Sequence, residues 1–194
     1  MKNLICAFAM AVTTSLHGQD TSLPYYEIPT YPEGFTAGTV ASRMLDGLGF
    51  RYYWATEGLR SEDLSHKPSK DARSSEETVA HIYEMSTLIL NATTKTPNVP
   101  GQAKQLPFAE MRKVTLHNFK NASTNLRKAT NEQMKEFKFI YKDQNQTVEY
   151  PFWNMINGPI EDCVWHVGQL VSFRRSSGNP FNGNAEVFTG KLQK

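Results

Sequence analysis

The sequence predicts an all-α domain: a four-helix bundle with one long crossover and a small β-hairpin before the last helix. Three observations carry that expectation. Apolar residues recur at helical spacing in four long segments, and a Ser-x-x-Glu capping box opens the second of them. Between the second and third, Thr96 to Pro107 carries three prolines and a glycine, which suits a long connection and no regular element.

The 194 residues suffice for one domain of ordinary size, and 39% hydrophobic with 21% charged residues is a folded, water-soluble balance. A net charge of +2 and the lack of a basic run argue against a nucleic-acid partner.

The first helix is expected from about Thr36 to Arg60, with Val40, Met44, Leu48, Tyr52 and Ala55 on its inner stripe. Gly38, Gly47, Gly49 and Gly58 weaken its propensity, so packing must hold it. After a loop from Ser61 to Arg73, Ser74-Ser-Glu-Glu77 begins a helix running to about Asn91, with Val79, Ile82, Ser86 and Ile89 inward. The third helix follows Pro107, with Phe108, Met111, Thr115, Asn118, Ala122 and Leu126 roughly in register. Phe137–Tyr141 and Thr147–Tyr150 flank a polar turn and read as a hairpin. The last helix spans about Pro151 to Ser177, bent or restarted at Gly158-Pro159 and stopped by Gly178 and Pro180. Arg174 and Arg175 lie in its last turn, where the helix dipole favours cations.

Ahead of the bundle, Lys2, the apolar run Leu4–Val12 and a small, polar stretch to Gly18 have the three parts of a secretory signal peptide, residues 1–18. The run is too short to span a bilayer, and Cys6 lies inside it, so no membrane anchor is expected. The mature chain is expected to be exported, periplasmic or secreted, with Cys163 as its single cysteine and no internal disulfide. Residues 19–35 form an extended arm rich in proline and tyrosine, whose aromatics are expected to lie on the domain at 36–181. A tail, 182–194, closes the chain.

The chemistry concentrates in the last helix. Asp162 and His166 are four residues apart and therefore point the same way on adjacent turns. His81, one turn after Glu77 on the capped helix, can meet them if the two helices pack side by side. A carboxylate and two imidazoles are donors for a divalent ion, and three ligands leave an open position. Glu161 points about 100° away, toward solvent. Glu77 and Glu84 flank His81 on its helix and are candidates to hydrogen-bond the ligands or to act as a general base, the capping role being favoured for Glu77. Cys163 is read as buried packing, Trp153 and Trp165 as core or pocket wall, and His117 as able to face the pocket.

Glu77-Thr-Val-Ala-His81 and His166-Val-Gly-Gln169, followed by Phe173-Arg-Arg, resemble the DinB-like family over about residues 36 to 180. That resemblance implies a four-helix bundle of metalloenzyme type, some members being thiol-dependent transferases or isomerases. It places the family's metal histidines on His81 and His166, with Val167 where the pattern has arginine and Asp162 where it has a third histidine. The ion it implies is Zn²⁺ or Ni²⁺, with a non-haem iron ranked last. The implied activity is metal-dependent hydrolysis or thiol transfer on an unknown small-molecule substrate, the catalytic residues being unknown. The competing expectation is a non-catalytic exported module that keeps the pocket. A homodimer is compatible with such a bundle.

Overall fold

The computed structural model describes residues 23–102 and 104–193. The expected leader, with Cys6 and His17, lies outside the described residues. Four long helices dominate: α1 (Ala37–Thr56), α3 (Ser75–Thr94), α4 (Phe108–Lys128) and α7 (Glu161–Ser176). They pack in a closed ring, α1 on α4, α4 on α3, α3 on α7 and α7 back on α1. Between them stand the short helices α2 (Ser61–Ser65), α5 (Asn131–Glu136) and α6 (Trp153–Met155). An antiparallel hairpin pairs β1 (Lys138–Lys142) with β2 (Thr147–Pro151). A second, two-residue hairpin, β3 (Ala185–Glu186) with β4 (Lys191–Leu192), lies in the tail. Among the described residues, no helix is long and apolar enough to cross a membrane.

The first three long helices start where their sequence says they should. Thr36 and Thr39 cap α1 reciprocally, and Ser74 with Glu77 does the same for α3. The inner stripes of α3 and α4 are the expected ones: Val79, Ile82, Ser86 and Ile89 on α3 and Met111, Thr115, Asn118, Ala122 and Leu126 on α4 are buried, with Phe108 half-buried at the start of α4. On α1 the expectation is corrected. Val40 and Met44 face outward, while Ala41, Leu45, Leu48, Tyr52 and Tyr53 fill the core. The cause is drift: steps of four residues advance about 40° past a full turn, so a stripe centred on Leu48 and Tyr52 has turned away from Val40 and Met44, and Ala41 and Leu45 take the inner face. The helix ends at Thr56, earlier than Arg60, and Gly58 then takes a left-handed conformation.

Two α1 glycines are close-approach residues. A methyl group on Gly38 would stand 2.2 Å from the Leu126 carbonyl oxygen, and one on Gly49 would stand 2.4 Å from the Tyr25 ring. Their cost in propensity is offset by tight packing of α4 and of the arm.

The arm is fastened by polar contacts to a buried carboxylate. Asp46 accepts from Tyr25 Oη at 3.1 Å and Ser123 Oγ at 2.6 Å, and it pairs with Arg127. Arg127 also donates to the Thr30 carbonyl, and Trp54 to that of Tyr26. Tyr25 and Tyr26 thus lie on the domain, whereas Tyr31 and Phe35 face solvent. The tail joins the arm through Ile28 N–H donating to Gly190 O.

The crossover between α3 and α4 is tethered to the hairpin. Asn98 N–H donates to Ile140 O, and Lys142 N–H to Asn98 O. Past the hairpin, the expected last helix is divided. Pro151 closes β2, α6 makes one turn, and Ile156–Ile160 winds more widely as a π segment with Gly158 outside helical angles. Pro159 lacks an N–H and cannot continue a regular ladder, so α7 restarts at Glu161. α2 and α5 are additions to the expected loops, each with an acidic or polar residue reaching back to the start of its first turn.

Candidate metal centre

α3 and α7 pack side by side, and the restart of α7 after the π segment sets the rotation of its first two turns. Cys163, Val167 and Leu170 go to the core, and Asp162 and His166 then lie on the flank that faces α3. On α3, Ile82 and Ile89 anchor the core face and leave His81 on the flank toward α7. Buried residues on each helix, Ile82 and Ile89 on α3 and Cys163, Val167 and Leu170 on α7, thus aim three polar side chains at one point.

His81 Nε2 stands 2.9 Å from Asp162 Oδ2, and His166 Nε2 stands 3.4 Å from Asp162 Oδ1. The imidazole rings meet edge to face, with centroids 4.7 Å apart at 89°. One donor atom from each of the three side chains lies within 4.8 Å of the other two. With bonds of about 2.0–2.1 Å, tetrahedral ligand atoms sit roughly 3.3 Å from one another; the His166–Asp162 pair at 3.4 Å has that spacing, the His81–Asp162 pair at 2.9 Å must open, and the widest pair must draw in from within 4.8 Å. The donor set, two imidazoles and a carboxylate, suits the same borderline metals. The side chains are 23%, 36% and 13% exposed for His81, Asp162 and His166, so one side of the group opens to water. An approaching ligand therefore has a path.

The neighbours are sorted by what they touch. Glu77 is the cap of α3: it accepts from Ser74 N–H at 2.7 Å and pairs with Lys67 at 3.1 Å. The Ser74 backbone N–H and Lys67 hold its carboxyl below the usual range, so it is a poor general base. Cys163, next to Asp162, is buried, and burial first, then the Asp162 charge, pushes its thiol far up. It is packing and not a nucleophile. Glu161 is exposed, as expected.

Three expectations are corrected. Trp153 and Trp165 are 75% and 71% exposed, not core: α7 turns Cys163 and Val167 inward, which rotates Trp165 outward. His117 is exposed, its Nδ1 2.8 Å from the Lys113 carbonyl oxygen, because α4 presents Leu116 and Phe119 to the core instead.

Sequence reasoning missed two participants. Gln169 Oε1 lies 2.7 Å from His166 Nδ1. Its spacing of three from His166 was a usable signal, since residues so placed touch on a helix. Arg174, read only as a dipole partner, is buried and donates to the carbonyls of Trp54, Ala55 and Glu57, each at 3.0 Å. Nothing in its own segment announces that role.

No family model matches the sequence, and no curated protein matches it. Among solved structures, a DinB-like protein from Bacillus subtilis, YjoA, superposes with a TM-score of 0.50 at 19% identity, covering 70% of this chain and 92% of that one. The fold is DinB-like. At that identity the likeness carries the arrangement of helices and no activity. It agrees with the resemblance read from His81 and from the His166–Gln169 segment.

Proposed function

We propose that this chain is a four-helix bundle that binds one divalent metal ion through His81, Asp162 and His166, with Zn²⁺ or Ni²⁺ as the ion. The observation that carries the proposal is the meeting of three donors from two separate helices around one point, open on one side.

Two neutral imidazoles and one carboxylate leave a dication with a single net positive charge. Bound there, the ion supplies Lewis acidity at its open position. The protein's own part is to hold the donors: α3 and α7 fix their spacing, so little ordering entropy is lost on binding. Asp162 shares its two oxygens between the two imidazoles. We assign the chain to metal-dependent hydrolysis or thiol transfer on a small molecule. Hydrolysis is preferred because an exported protein has little access to cytosolic thiols. Export after removal of residues 1–18, with the arm at 19–35, the bundle at 36–181 and the tail at 182–194, belongs to this reading, as does a homodimeric state.

The second reading is a non-catalytic exported module that keeps the pocket. The carboxylate of Asp162 favours it, since it lowers the positive charge that an ion would present to a substrate.

Elemental analysis of the purified chain, beside a His81→Ala control, tests the metal. One ion per parent chain and none in the control is expected. Absence of metal from the parent, after incubation with Zn²⁺ and Ni²⁺, overturns the proposal. Turnover by the loaded parent, lost in His166→Ala, then separates enzyme from module.

A further inference from the structure

We infer that Gln169 is the positioning residue of the proposed centre: its side-chain oxygen decides which nitrogen of His166 faces the metal position. The inference rests on the metal-binding reading above.

An imidazole presents a lone pair at Nε2 only when its single proton sits on Nδ1. Gln169 Oε1 is an acceptor 2.7 Å from that Nδ1, so the ring donates there, and the Nε2 lone pair is left pointing toward Asp162. The two halves of the triad differ on this point. His81 Nε2 lies 2.9 Å from Asp162 Oδ2, an ordinary hydrogen-bond length with a proton between them. His166 Nε2 lies 3.4 Å from Asp162 Oδ1. A lone pair facing a carboxylate oxygen at that distance is unfavourable until a proton or a metal ion lies between them. Gln169 thus turns a routine imidazole–carboxylate pair into a vacant donor.

The helix makes the contact rigid. Residues 166 and 169 are on adjacent turns of one face, and Val167 and Leu170, both buried, lock the rotation of that stretch. His166 is the least exposed member of the triad, so water competes little for its Nδ1. Orienting partners of this kind change metal affinity by roughly 10- to 100-fold when removed.

The experiment titrates the parent, Gln169→Leu and Gln169→Glu with Co²⁺, read by visible absorption, and with Zn²⁺ in competition with a chromophoric chelator. Glutamate keeps an acceptor at the same reach and cannot donate; leucine keeps only the volume. Gln169→Leu should bind both ions about 10- to 100-fold more weakly, with the apo protein melting where the parent does. Gln169→Glu should bind at least as tightly as the parent. Equal affinity in the leucine variant overturns the inference while the metal reading stands. A glutamate variant as weak as the leucine variant also overturns it, because the amide N–H would then be the group that orients the ring. A parent that takes up neither ion removes the metal reading itself.

Discussion

The two ends of α7 carry polar clusters of similar composition and opposite character. At its C-terminal end, Arg174 donates to three carbonyls at the end of α1 and to the carbonyl and side-chain oxygens of Asn179. Beside it, the fully buried Asp63 accepts from Arg60 Nε and Nη2 at 2.9 Å, and from Ser177 Oγ and Asn179 Nδ2 at 2.6 Å. At the N-terminal end, Asp162 meets two imidazoles, one of them held as an acceptor by Gln169, and the group opens to water. Both Asp63 oxygens and the three carbonyls at the end of α1 have donors facing them, so that end latches α7 to α1 and α2. At the second, His81 is hydrogen-bonded to Asp162 Oδ2 while His166 Nε2 stands 3.4 Å from Asp162 Oδ1, so that end is the candidate site. Full complementarity marks structure, and an unpaired excess of acceptors marks a place for a cation.

The sharpest break in that contrast comes from removing a donor. His166→Ala should lower Zn²⁺ affinity by more than the roughly 100-fold that loss of an orienting partner costs. Its apo unfolding midpoint should stay near the parent's. A large fall in apo stability would make the triad a latch like the other end. Arg174→Met should do the reverse. Three carbonyls lose a buried donor, which costs about 2–4 kcal/mol in a denaturant titration, while metal affinity holds.

Asp63 gives a smaller and pH-dependent effect. Burial alone raises its carboxyl, but the donors Arg60, Ser177 and Asn179 outweigh it and hold the group well below the usual range. Since the folded value lies below the unfolded one, its contribution is complete above about pH 4 and is lost as pH falls through the folded value. Asp63→Asn should cost about 1–3 kcal/mol at neutral pH and flatten the acid limb of the stability curve. An unchanged acid limb would mean that the cluster does not act through that charge. The smallest effect belongs to Trp165→Ala, within about 0.5 kcal/mol by thermal melting, because the indole is mostly in water. A larger loss would place Trp165 in the structural set.

How much was legible in the sequence differs along the chain. The capping boxes of α1 and α3 are local chemistry; that of α3 was readable from Ser74 and Glu77 alone, and α3 and α4 kept their predicted stripes because each is buried along one face. The α1 stripe departs at Val40 and Met44 because a spacing of four drifts about 40° per step against a 3.6-residue period, so Ala41 and Leu45 face inward instead. Short α2 and α5 lie in segments where five and six residues of helix leave almost no periodicity.

By itself the sequence determined the helical class, the break at Gly158-Pro159, and the pairing of Asp162 with His166, since each follows from backbone geometry within a turn or two. Only the tertiary structure decided that His81 reaches that pair, that Gln169 holds His166, and that Arg174 closes over the end of α1. The last contact spans about 120 residues of chain, and the rotation of α7 that permits all three is set by where Cys163, Val167 and Leu170 find the core. Side-chain direction across helices depends on how two apolar surfaces interlock, and spacing along one strand of sequence does not contain that.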